Sequence, residues 1–241
     1  MLTATALAST FGVGFGYNPQ HIREFMRGLR PDYASPIKWS DPVEWGIMHE
    51  QRALDLCAKY VDGPIVPANN LLMVRGLWSD PCVQIGASPD AFGPDNRFLV
   101  EAKCPYSLKS FERQTHLIPL QYYLQIQQQM FCCDVPECYL ILWLLDVCPL
   151  NETPTYLNCK EVATLWHVHF DKETWCNVVE PHIRKVYYTD EPLPKGYRQA
   201  GPFRSIFTKS RTKHASRILK YPPPTEPRRP LLGPCSNRRK T

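Results

Sequence analysis

From Tyr139 to Leu145 the chain reads Tyr-Leu-Ile-Leu-Trp-Leu-Leu, seven apolar residues without a break. A helix that crosses a bilayer needs about 20, and no longer apolar run occurs. The length is that of a strand, and the missing polar alternation means that both of its faces must be covered. Cys138 to Asp146 is therefore expected as a central strand, with the rest of the chain supplying layers on either side. Further strands are read at Leu71–Leu77, Cys82–Ile85 and Ala163–Phe170, and helices at Pro19–Leu29, Asp41–Tyr60, Pro119–Cys132 and Asp171–Tyr188. Asp41-Pro42-Val43-Glu44 places an N-cap, a proline at the first helical position and a glutamate at the third. Asp171 caps the closing helix in the same way. The Pro19 helix should pack through Ile22, Phe25, Met26 and Leu29, leaving Arg23, Arg27 and Arg30 to solvent. Trp45, Met48 and Cys57 should pack the next helix, with Glu50 at its middle beside His49.

A second stretch, Gln84 to Pro105, carries chemistry. It reads as a strand ending in Gly86-Ala87-Ser88-Pro89-Asp90, a turn rich in Gly, Pro, Asp and Asn, and a second strand from Arg97 to Lys103. Side chains alternate along a strand, so Leu99, Glu101 and Lys103 share one face and Phe98, Val100 and Ala102 the other. The turn brings Asp90 back towards Glu101 and Lys103. Two carboxylates and an ammonium make a site for a divalent cation such as Mg2+, which prefers oxygen ligands, with the lysine beside the attacking water. Taken singly, Glu-x-Lys is an ordinary solvated strand face and Ser-Pro-Asp an ordinary turn; their combination is more specific.

SPDAF followed by LVEAKCP resembles the PD-(D/E)XK nuclease core in the form found in lambda-type exonucleases, YqaJ-type viral recombinases and herpesvirus-type alkaline nucleases. Trp45 to Ala53 is similar to the Gly-x-x-x-Glu-x-x-Ala helix of these nucleases, and Tyr122 to Met130 to their glutamine-bearing helix. The resemblance implies an α/β fold with a restriction-endonuclease-like core, a central mixed β-sheet flanked by α-helices. It implies a metal-dependent DNA exonuclease working 5′→3′ on linear duplex ends and leaving 3′ single strands for recombination or repair. In that reading Asp90, Glu101 and the backbone carbonyl of Ala102 ligate Mg2+ or Mn2+, and Glu50 serves a second ion or its water. Lys103 orients and helps deprotonate the attacking water or stabilises the developing charge, and Gln125 holds a water or phosphate oxygen, with Gln127 next in line. Thr5 corresponds to a hydroxyl that holds the terminal 5′-phosphate, although the arginine that should precede it has no counterpart. A carboxylate near Asp80 also recurs in lambda-type exonucleases, while a turn aspartate needs no such role. Partners implied are duplex DNA ends and a single-strand annealing protein, and lambda-type relatives form trimeric rings. Two other readings remain: a non-catalytic DNA-binding or annealing accessory protein, and a structure- or sequence-specific endonuclease on the same core.

The length, 241 residues, suits one sizeable domain plus an appendage. Residues 1–191 are read as the exonuclease-like domain and 192–241 as a basic, proline-rich tail, largely disordered or extended. From Lys195 onward there are 13 Lys/Arg and one acid, Glu226, whereas the preceding residues are acidic on balance, so polyanion contact is partly delegated to the tail. Lys109 and Arg113, in the polar segment Tyr106 to His116, are candidates for touching phosphates from a loop at the site mouth. The ten cysteines are scattered, with no secretory leader, and read as reduced thiols of an intracellular, non-membrane protein. They lack the spacing of a zinc or iron–sulfur site. The Arg238-Arg239-Lys240 terminus would suit a nuclear protein in a eukaryote or its virus.

Overall fold

The computed structural model describes residues 1–14, 17–31, 41–146, 160–194 and 200–221. In chain order the elements are β1 (Leu2–Thr3), α1 (Ala4–Thr10), α2 (Pro19–Met26), α3 (Asp41–Cys57), β2 (Val66–Pro67), β3 (Met73–Gly76), β4 (Gln84–Ala87), β5 (Ala91–Phe92) and β6 (Leu99–Lys103). They continue with α4 (Leu108–Thr115), α5 (Leu120–Cys133), β7 (Glu137–Asp146), β8 (Lys160–His169), α6 (Lys172–Thr174), α7 (Glu180–Tyr188), α8 (Gly201–His214) and β9 (Ala215–Tyr221).

The long apolar run forms β7, near the middle of a six-stranded sheet ordered β2-β5-β6-β7-β8-β9. Only its pairing with β6 is parallel, so the sheet is mixed. Leu140, Ile141, Leu142 and Trp143 have no exposed surface, which is what the absence of alternation requires. Odd and even residues enter different cores. Cys138, Leu140 and Leu142 meet Ile126 and Met130 of α5, and Ile141 and Trp143 meet Ala53 and Cys57 of α3. Helices thus cover both faces, giving an α/β sandwich of the restriction-endonuclease type.

Helix α5 also separates the large sheet from a small one, β1-β4-β3, through Leu124 and Phe131 packed with Leu2, Leu7 and Ile85. It is buried almost all round, and the amide N–H groups of its buried glutamines find partners: Gln128 Nε2 donates to Leu2 O and Gly86 O, both at 2.9 Å. The closing helix is capped as expected, Asp171 accepting from Thr174 N at 3.0 Å. A π-helical turn, Trp175–Val179, precedes Pro181 and widens the backbone where that ring would meet a preceding carbonyl.

Several expectations need correction. The strand before the turn is split in two: β4 belongs to the small sheet and only β5 pairs with β6, because Pro89 has no N–H to continue a ladder. The segment Tyr106 to His116 is mostly helix, started by Ser107, whose hydroxyl accepts from Ser110 N at 3.3 Å. Arg23 is buried, not solvated: it donates to Val186 O and Glu191 O and fastens the end of α7. Leu29 and Met48 are each 70% exposed and do not pack. The boundary at residue 192 is not respected either. Helix α8 contributes Phe207 to the core, and β9 pairs with β8 along its length, so residues 201–221 belong to the body. The remainder of that segment, 222–241, lies outside the described residues.

Candidate active site

Asp90 sits at the joint between the two sheets and is clipped twice to β6 and once to the residue after β2. Its N–H donates to Val100 O at 3.2 Å, its carbonyl accepts from Ala68 N at 2.9 Å, and Oδ2 accepts from Ala102 N at 2.7 Å. The turn that returns the chain uses Asp95 and Asn96, both with φ above +50°, a conformation their short polar side chains tolerate. Glu101 follows on the α5 side of the sheet with 1% of its surface exposed. Three donors meet its two oxygens: Lys103 Nζ and Gln125 Nε2 (2.6 Å) on Oε1, and Gln129 Nε2 (2.7 Å) on Oε2. A carboxylate has about four lone-pair directions, so one is left on Oε2. Lys103 keeps a quarter of its side chain exposed and lies 5.4 Å from the centre of the Tyr122 ring.

Lys103 opens into a cleft of about 540 Å3 between α3, the end of β6, α4 and α5, lined also by Glu50, Tyr106, Ser110, Gln114 and Tyr122 among others, with Asp90 and Glu101 set behind that lining. Burial, and then the charge of Glu101, push the Asp90 carboxyl up to about 8, against the pull of Lys103 and the Ala102 N–H. Glu50 is raised by burial and by Glu101. For Lys103, burial works to lower the pKa but is outweighed by Glu101 and Asp90, so the ammonium is held above its usual range.

Among the described residues that sense one another here, three carboxylates face one ammonium. With all three ionised, as a bound cation would make them, the excess is two negative charges on oxygen donors, and a hard divalent cation fits both the charge and the donor type. Asp90, Glu101 and Glu50 are the side chains that would hold it.

The fold brings together Asp90, Glu101, Lys103, Glu50 and Gln125. It does not bring in Gln127, whose amide donates to His169 O (2.9 Å) and accepts from Asp171 N (2.8 Å), fixing the turn after β8. Thr5 lies exposed in the first turn of α1, outside the cleft lining. Lys109 and Arg113 are exposed on α4, whose cleft-lining residues are Ser110 and Gln114. Asp80 accepts from Cys82 N (3.2 Å) and Tyr188 OH (2.8 Å), holding a turn and a helix end. Gln129, Tyr122 and the α4 pair were not found from sequence. Gln129 stands four residues after Gln125, on the same helical face, and that spacing was the available signal.

The mixed sheet with helices on both sides and a cleft at the end of β6, with Glu50 and Lys103 in its lining, define a restriction-endonuclease-like α/β protein. The solved alkaline exonuclease of Laribacter hongkongensis, LHK-Exo, is similar over 88% of this chain and 92% of its own, with 15% identity and a TM-score of 0.52. The same enzyme in complex with dAMP gives 14% identity and a TM-score of 0.51 over the same shares. A phage-related exonuclease from Haemophilus somnus 129PT matches over 85% of this chain and 95% of its own, with 12% identity and a TM-score of 0.51. At such identities the likeness is one of fold. Residues 3–136, more than half of the chain, match the sequence model of the YqaJ-like viral recombinase domain, and the chain belongs to that family. No curated protein matches it.

Proposed function

We propose that this chain is a divalent-metal-dependent DNA exonuclease that removes nucleotides from the 5′ strand of linear duplex ends and leaves 3′ single strands for recombination or repair. The observation that carries the reading is the meeting of Asp90, Glu101 and Lys103 at the head of the cleft, with Glu101 fixed by Gln125 and Gln129. Family membership and the fold shared with solved exonucleases support it.

Asp90, Glu101, Glu50 and the Ala102 carbonyl would hold Mg2+ or Mn2+, which supplies Lewis-acid neutralisation of the phosphodiester when bound. The protein's own groups do the rest. Gln125 and Gln129 keep Glu101 from turning, so that its remaining lone pair points to one place. Lys103, held protonated by its neighbours, places a positive charge where the attacking oxygen and the developing phosphorane charge will be. Tyr122 covers that ammonium on one side, and Ser110 and Gln114 offer hydroxyl and amide groups to phosphate oxygens across the cleft. An annealing protein would take the single strands produced.

Linear and circular duplex DNA, end-labelled at 5′ or 3′ and incubated with Mg2+ or with chelator, discriminate the alternatives. Release of the 5′ label from linear DNA alone, and only with metal, supports the reading. Nicking of circles would make the chain an endonuclease, and binding without release an accessory protein. Asp90→Ala, Glu101→Ala and Lys103→Ala are each expected to lower release by at least about a hundredfold, with circular dichroism unchanged.

A further inference from the structure

On the face of the large sheet opposite the Glu101 side chain, three metal-ligating side chains converge. The pleat puts His167 and His169 of β8 on one face, and the β7–β8 register sets Glu137 opposite His169. His167 Nε2 lies 3.0 Å from Glu137 Oε2, and His169 Nδ1 lies 3.8 Å from Glu137 Oε1. One ligand atom from each residue falls within 4.8 Å of the others. Two nitrogens or a nitrogen and an oxygen on a tetrahedral zinc ion are about 3.3 Å apart, given bonds of about 2.0–2.1 Å. The observed separations bracket that value.

The group is removed from the cleft. Glu137 precedes Cys138, which is level with Leu99, so it stands five register positions before Lys103, roughly 16 Å along the strands. It also shares the α3 side with Tyr139 and Ile141, whereas Glu101 points to α5. The histidines are held in place. His167 stacks on Tyr139 with ring centroids 4.6 Å apart and planes 6° apart, and the His169 carbonyl is gripped by Gln127. The two ring centroids are 4.4 Å apart and both rings reach the Glu137 carboxylate. A neutral imidazole can donate its N–H to that carboxylate, and in the other tautomer the same nitrogen offers a lone pair to a cation. Two such nitrogens and a carboxylate oxygen converging on one place make a metal-ligand set. The imidazoles select zinc or a similar first-row ion over Mg2+. His169 is half exposed, which gives an ion a way in and leaves a coordination position for water.

We propose that Glu137, His167 and His169 form a second metal site, taking Zn2+, that fastens β7 to β8 at the end of the strands remote from the cleft. The test is Zn2+ binding to the metal-stripped full chain by equilibrium dialysis and by thermal melting, with Co2+ as the spectroscopic probe. Wild type and Glu101→Gln are expected to bind one tight equivalent of Zn2+ with a chelator-reversible rise in Tm. Glu137→Gln and His169→Gln, both at solvent-accessible positions, should bind it at least about tenfold more weakly and lose the rise. The Co2+ spectrum should lack a thiolate charge-transfer band. Unchanged zinc binding in Glu137→Gln and His169→Gln would overturn the proposal. So would loss of the tight equivalent in Glu101→Gln, a thiolate band, or no tight equivalent in wild type. The outcome is independent of the exonuclease assay.

Discussion

Glu101 is almost wholly buried, yet three side-chain donors converge on its two oxygens. Gln129→Leu would strip Oε2 of its donor inside the protein, where an unmet acceptor costs roughly 1–3 kcal/mol. A loss of about tenfold or more in single-turnover release is expected, with DNA affinity little changed, and equal rates in both proteins would count against the positioning role. Asp90 gives a prediction in pH. Its carboxyl is raised to about 8 in the fold and sits near 3.8 when unfolded, so the native state binds the extra proton between those values. Stability from this group is therefore full in acid and falls as pH rises through about 8. Asp90→Asn keeps an acceptor for the Ala102 N–H while removing the charge. Metal-free Asp90→Asn should therefore melt about 2 °C or more above wild type at pH 9, with the gain shrinking as pH falls and gone below about pH 4, where the wild-type carboxyl is protonated in both states. Strand alternation and turn chemistry were enough to read how Asp90, Glu101 and Lys103 come to one place. They could not distinguish Gln125 and Gln129 from Gln127 and Gln128, because four glutamines within five positions point all round a helix, and only the two sheets packed against α5 decide what each one meets.

At the scale of elements, β7 is the support for everything on β6. Leu142→Ala, level with Lys103, would remove apolar volume at a site with no exposed surface and should cost about 2–5 kcal/mol. Thermal melting should show a fall of several degrees or more, at about 2–4 °C per kcal/mol for a chain of this size. This strand was legible because a run with no polar alternation permits only one environment. So was the cap at Asp171, where sequence and geometry speak the same local chemistry. Two strands of the small sheet, β3 and β4, were legible as strands, but their separation into a second sheet was not: β1 is two residues long and pairs with β4 across more than eighty positions. Nor was α8–β9, since the proline and charge content around it matches that of an unstructured tail, while Phe207 and the β8 ladder supply the tertiary stabilisation that overrides composition.

For the whole molecule, charge is divided between an acidic body and a basic C-terminal fifth. Part of that basicity lies on α8 and β9, at Arg204, Lys209, Arg211, Lys213 and Arg217. Residues 222–241 hold five more Lys/Arg. Removing residues 222–241 is expected to weaken DNA binding and flatten its dependence on log salt by up to about 0.9 per lost phosphate contact, read by fluorescence anisotropy at several salt concentrations. The turnover of bound DNA should stay the same. Helix α5 joins these parts: two of its glutamines restrain Glu101, and Gln128, which lies between them, holds the carbonyl of Leu2. Glu101, the proposed metal ligand, is thereby joined through a single helix to the backbone of Leu2. Unseating that first short strand is expected to loosen the carboxylate and slow the proposed cleavage, however far from DNA the disturbance begins.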